Sequence, residues 1–174
     1  IFQEGLRILP TKLYERGVLN QSWLTFLLAN VRVPNFTWGD LQAQVSACRI
    51  CETRFTEMYK KYGKAQMKAV QKWIMAYSEK LIRQEIEAMP DGVYVFEDFL
   101  DNDGVDNDRP VKIHVKITIK GSDIVFDFNG SDPQVRGPAN CALGSLSSAT
   151  YAGLFFVCSP TIPKNHGCYN PVTI

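Results

Sequence analysis

The sequence predicts an α+β fold: a long antiparallel helical hairpin, then a three-stranded antiparallel β-meander, then a helix rich in small residues. Two observations predict it. Apolar residues recur at three- and four-residue steps from Gly39 to Met89, the period of an amphipathic helix, with Gly63 as the break between two halves. Beyond Pro90-Asp91-Gly92 the period drops to two, that of a strand with one wet face. The change of period marks off a mainly helical lobe, residues 1–89, from a lobe of β-meander plus helix, residues 90–174.

Residues 1–18 carry no sustained period, and Pro10 and Gly17 interrupt whatever begins there. Asn20 can cap a short helix running to Val31, with Trp23, Leu24, Leu27 and Leu28 on one face, and Pro34 ends it. The first long helix spans Gly39–Tyr62, with an apolar stripe of Leu41, Val45, Cys48, Phe55, Met58 and Tyr62. The second spans Lys64–Met89, with Met67, Val70, Ile74, Tyr77 and Leu81 as its stripe. Two such helices joined by one glycine most simply bury their stripes as a hairpin.

Val93–Leu100 is strand-like. Val111, Ile113, Val115, Ile117 and Ile119 then alternate strictly with Lys112, His114, Lys116, Thr118 and Lys120. Lys120-Gly121-Ser122-Asp123 makes a hairpin turn, and Ile124, Phe126 and Phe128 resume the alternation. Asn129–Cys141, NGSDPQVRGPANC, is a loop, and Ala142–Cys158 a helix whose Ser147, Ser148, Ala149 and Ala152 suit close packing against neighbours. Pro171–Ile174 reads like the start of another strand, and the chain opens without a methionine; both ends fall inside pattern, as in a piece of something longer.

Composition excludes several function classes. With 45% hydrophobic and 21% charged residues this is an ordinary globular chain, and its net charge of +1 gives no global field for nucleic acid or an anionic membrane. No apolar run approaches the roughly 20 residues of a membrane span, and IFQEGLRILP lacks the pattern of a signal peptide. Five cysteines, an odd number and mostly far apart, imply free thiols in a reducing compartment, so the expected location is the cytoplasm.

Four candidate sites stand out. Cys48-Arg49-Ile50-Cys51 has CxxC spacing but falls mid-helix and has no second pair to complete a four-ligand zinc site, so it reads as two neighbours on one helix face. The acidic run Asp98–Asp108 fails the EF-hand frame, because Val105 or Leu100 falls where an oxygen ligand is needed; it reads as a solvated turn between strands. His114, on the lysine-bearing face of its strand, suggests a surface position, and His166 lies in a loop. The loop Asn129–Cys141 is the strongest candidate. Gly137-Pro138 gives a rigid turn, Asn140 can cap the helix that follows, and Arg136 beside free helix-terminal amides offers a site for a carboxylate or phosphate. Arg136 and Asn140 are therefore the expected substrate-binding residues, with no catalytic residue identified.

Several strings carry a resemblance. Glu4-Gly5-Leu6-Arg7-Ile8 with Lys12-Leu13-Tyr14, Ala29-Asn30-Val31-Arg32-Val33-Pro34, Gly39-Asp40-Leu41-Gln42-Ala43-Gln44 with Ala47-Cys48-Arg49, and Pro90-Asp91-Gly92 occur in order. The most specific is Asp127–Cys141, followed by Asn165-His166-Gly167-Cys168 and Pro171-Val172-Thr173. Together they resemble the hydantoinase B/oxoprolinase family across essentially the whole chain, as a middle portion of a longer subunit. The resemblance implies one half of an ATP-dependent hydrolase of cyclic amides such as hydantoin or 5-oxoproline. Its partner, a hydantoinase A-type subunit, would bind ATP and phosphorylate a small-molecule substrate. Acetone- and acetophenone-type carboxylases are similar, so a carboxylase subunit is the alternative within the family, and a scaffolding module docking a partner is the alternative outside catalysis. A divalent metal and ATP are implied for the complete enzyme. The family's His- and Asp-rich metal motifs lie upstream of Glu4-Gly5-Leu6-Arg7, nothing in residues 1–174 matches them, and no cofactor or metal ligand is expected within this segment. Cys51 replaces the glycine the resemblance leads one to expect, which weakens a redox role for the CxxC further.

Overall fold

The computed structural model describes Leu6 and residues 8–174, so Glu4, Gly5 and Arg7 of the resemblance lie outside the described residues. The chain divides into two compact units, Ile1–Lys64 and Ala65–Ile174.

In the first unit, β1 (Tyr14–Glu15) and β2 (Val18–Leu19) form a hairpin with Tyr14 opposite Leu19. Arg16 (φ 51°) and Gly17 (φ 85°) occupy its two turn positions, both with the positive φ that a two-residue hairpin needs to match strand twist. Asn20 caps α1 (Gln21–Ala29) as expected, its side chain accepting from the Trp23 amide at 3.1 Å. Leu24 and Leu27 are the buried residues of that helix. α2 (Pro34–Tyr62) begins at Pro34 rather than Gly39. A proline in the first turn lacks only an amide that would have no intrahelical partner, and its fixed φ is already helical. None of the residues of α2 is buried. The helix stops at Gly63, whose φ of 77° and ψ of 158° are open almost only to glycine.

The second unit takes in α3 (Lys64–Glu87) beyond its first residue. It continues with β3 (Gly92–Leu100), β4 (Val111–Lys120), β5 (Asp123–Asp127), α4 (Leu143–Val157), a 3-10 turn at His166–Tyr169 and β6 (Val172–Thr173). Strands β3, β4 and β5 form the antiparallel meander read from the sequence, with Tyr94 opposite Ile117 and Ile119 opposite Ile124. The strand expected from Pro171 onward is β6, which lies parallel to β5 and makes the sheet four-stranded in the order β3-β4-β5-β6. The α+β class and the succession of two long helices, meander and helix are as the sequence predicts.

One core joins Ile82 and Ile86 of α3, Ile119 of β4, Ile124 and Phe126 of β5, Leu154 of α4 and Cys158 just beyond it, with Ile162 and Cys168. The change of period at residue 90 is thus a change of secondary structure inside one compact unit. Two helical stripes differ from expectation. α3 buries Met67, Ser78, Ile82 and Ile86, while Val70, Ile74 and Tyr77 remain exposed. α4 buries Thr150 and Leu154, while Ser148, Ala149 and Ala152 face outward. On α3 the covered face is set by packing on the sheet rather than by side-chain size, since Trp73 and Tyr77 stay exposed while Ser78 is buried.

Candidate functional site: a pinned loop beside a two-arginine cavity

The loop after β5 begins as a continuation of the sheet. The Lys112 amide donates to Asp132 Oδ2 (3.0 Å) and the Asp132 amide donates back to Lys112 O (3.0 Å). Ser131 Oγ accepts from the His114 amide (2.9 Å) and donates to His114 O (3.1 Å). These bonds fix the first residues of the loop before the Gly-Pro turn.

A second tie comes from the acidic segment between β3 and β4, where Asp103 is buried. Its Oδ1 accepts from the amides of Val105 (2.8 Å) and Asp106 (2.7 Å), and its Oδ2 accepts from the Gly137 amide at 2.9 Å. Those amides, Asp106 and Val105 foremost, hold the carboxyl below the usual aspartate range, with help from the Arg136 charge. At Gly137 any Cβ would overlap the Asp103 backbone, so only glycine permits this approach. The acidic run expected to be a solvated turn therefore contains a buried carboxylate that clasps the candidate loop. The sequence signal was present in Asp103-Gly104: aspartate can bond amides two or three residues ahead, and Gly104 has φ 81°.

Asn140 does not cap α4, contrary to expectation. Its Oδ1 accepts from the Val135 amide (2.9 Å), and its Nδ2 donates to Val135 O (2.8 Å) and Gly137 O (3.0 Å), folding the loop around Arg136. α4 instead starts after Ala142 with no side-chain cap. Arg136 is exposed and makes no ion pair or hydrogen bond with a described residue. It lines a cavity of about 410 Å³ together with Asp103, Asp106, Arg109, Val111 and Gln134. Chemically, the free guanidinium of Arg136 is suited to grip a planar carboxylate or a phosphate, and Asn140 holds the backbone that presents it.

His114 is half-buried rather than superficial, and its Nδ1 is buried without a hydrogen-bond partner beside Gly130. Asn165, Gly167 and Cys168 are drawn into packing around α3, whereas His166 is exposed, with its ring edge-on to Tyr169. Asn165 Nδ2 donates to the hydroxyl of buried Ser78 (2.7 Å), which donates to Pro163 O (2.7 Å), and Cys168 is fully buried. Cys48 and Cys51 are exposed free thiols. Among the described residues no three His, Cys, Asp or Glu side chains converge as metal ligands, and no helix is long and apolar enough to cross a membrane.

Comparison with known proteins agrees with this architecture. The family model for hydantoinase B/oxoprolinase matches residues 1–174. A putative D-/L-hydantoinase B-type subunit from Pseudomonas sp. (strain NS671) is 36% identical over 99% of the chain and 31% of its own length. The crystal structure of an ATP-dependent caprolactamase from Pseudomonas jessenii superposes with a TM-score of 0.84 at 30% identity, covering 99% of this chain and 30% of that one. A nucleotide-free acetone carboxylase has the same fold, with a TM-score of 0.83 at 18% identity over 98% of this chain and 24% of its own. The chain thus spans about a third of the length of the first two relatives.

Proposed function

This chain belongs to the hydantoinase B/oxoprolinase family, and we propose that it is the segment of a B-type subunit that frames one wall of an active site for hydrolysis of a cyclic amide. The complete enzyme would work with an A-type subunit that uses ATP to phosphorylate a small-molecule substrate of hydantoin or 5-oxoproline type. The observation that carries the choice of hydrolase is the 36% identity, over 99% of the chain, with the hydantoinase subunit. The acetone carboxylase, at 18%, is a likeness of fold, and an acetophenone carboxylase delta subunit reaches only 23% identity.

Within this reading Arg136 binds an anionic group of the substrate at the rim of the cavity, and Asn140 orders the loop that carries it. In this reading the segment holds a substrate-facing wall, and the divalent metal and ATP act in the rest of the assembly. The test is reconstitution. The full-length subunit is co-expressed with its A-type partner and assayed for ATP-dependent opening of hydantoin, 5-oxoproline and caprolactam, with bicarbonate-dependent carboxylation of acetone in parallel. Ring opening is the expected outcome. Carboxylation alone would replace hydrolase by carboxylase, and inactivity of a folded, metal-loaded complex toward every substrate would leave a scaffolding role.

A further inference from the structure

β3 is an edge strand whose outer ladder has no partner among the described residues. It pairs one-to-one with β4 from Gly92 opposite Ile119 to Leu100 opposite Val111, with no bulge to twist the edge away. It contains no proline and no lysine. Both of its faces are apolar and open: Val93 (63% exposed), Val95 (60%) and Phe99 (55%) on one, Phe96 (66%), Tyr94 and Leu100 on the other. A nine-residue edge of this composition is a template for a further strand, since unpaired amides and carbonyls flank side chains that gain from being covered.

We infer that a β-strand from the remainder of its own subunit pairs along the outer edge of β3. Two observations choose this occupant. The fold is contained, at a TM-score of 0.84, in a single caprolactamase chain of which it is 30%, so a subunit of that length holds more than twice as much chain again to supply the strand. A strand on the same polypeptide also docks at the effective concentration of an intramolecular partner. The charge pattern disfavours a second copy. Antiparallel self-pairing of Gly92–Leu100 centred on Phe96 sets Glu97 opposite Val95 and brings the Glu97 carboxylates of the two copies to diagonal positions on one face, where Lys112 of β4 offsets only part of their repulsion. Like charges so placed are destabilising, whereas a strand bearing Lys or Arg there is attracted. The occupant is therefore an extended segment with alternating apolar residues and no acid opposite Glu97 or Asp98. This holds for hydrolase and carboxylase alike, so it does not depend on the proposed reaction.

Residue-resolved amide hydrogen exchange on the full-length subunit tests it. In an unpartnered edge strand the amides of residues 93–98 alternate between those bonded to β4 and those open to water, while the outward Phe99 amide donates to Asp98 Oδ1 (2.8 Å) and is left out of the comparison. The expected result is protection of both sets, with the outward set slowed on the order of 100-fold or more relative to an unstructured chain. An alternating pattern overturns the inference. So does protection of the outward set that fades on dilution to monomer, which assigns the edge to a second copy, or that appears only on adding the A-type subunit.

Discussion

Gly137 and Asp103 make one unit of the candidate site, because the backbone of one leaves no room for a side chain on the other. Gly137→Ala should cost about 3 kcal/mol, the upper part of the range for forcing atoms into a packed site, measured by urea unfolding of the full-length subunit. The Asp103 carboxyl titrates below its ordinary range in the folded chain because three backbone amides donate to it. With a depressed folded pKa, its contribution is fully present above the unfolded value, about 3.9, and is lost as pH falls through the lower folded value. The difference in thermal midpoint between the native protein and Asp103→Asn should accordingly be constant at neutral pH and shrink below about pH 4. A difference that grows on acidification would refute this ionised clasp. For Arg136, whose guanidinium makes no hydrogen bond or ion pair with a described residue, Arg136→Ala in the reconstituted enzyme should raise KM roughly tenfold, with partial rescue by Arg136→Lys. A change in kcat at constant KM would remove Arg136 from substrate binding. Asp103-Gly104 carries a local turn signal, but among seven nearby acidic or amide side chains that signal does not single out the one that turns inward, since the third partner of Asp103, Gly137, is 34 positions away.

At the scale of elements, the legible features were those set by local periodicity and turn chemistry. The alternation in β4, the Gly121 turn and the Asn20 cap follow from side-chain order and short-range hydrogen bonds, and each is found where expected. The choice of buried face was less legible. In α3 the residues Val70-Ile74-Tyr77 and Ser78-Ile82-Ile86 both recur at helical spacing, and packing on the sheet selects the second set. Ile82→Ala should therefore cost about 2–5 kcal/mol as a core cavity, in a urea titration; a cost near zero would place the core elsewhere. Gly63 is a sharper case. Its φ of 77° and ψ of 158° would strain any other residue, so Gly63→Ala should cost about 1–3 kcal/mol. An alanine accepted without loss would mean the break between α2 and α3 does not require this backbone geometry.

The whole molecule has more apolar surface than a self-sufficient domain of its size usually leaves open, including six large side chains of β3 and a 29-residue α2 with no buried residue. That surface fits a segment of a longer subunit, as the share of its relatives' length implies. In the proposed complete enzyme, chelation of the divalent metal should stop ring opening while leaving amide protection of residues 65–174 unchanged, because no ligand set lies among the described residues. Loss of protection there would place a ligand within the segment. By itself the sequence determined the α+β class, most element boundaries, the family and the loop worth examining, all of which depend on the order of residues and on interactions a few positions long. Only the tertiary structure decided that Asp103 is buried, that Asn140 folds its own loop instead of capping α4, and that β6 joins the sheet in parallel. Each of those rests on backbone groups brought together from distant parts of the chain or on competition between two local partners, and neither is written in a local pattern.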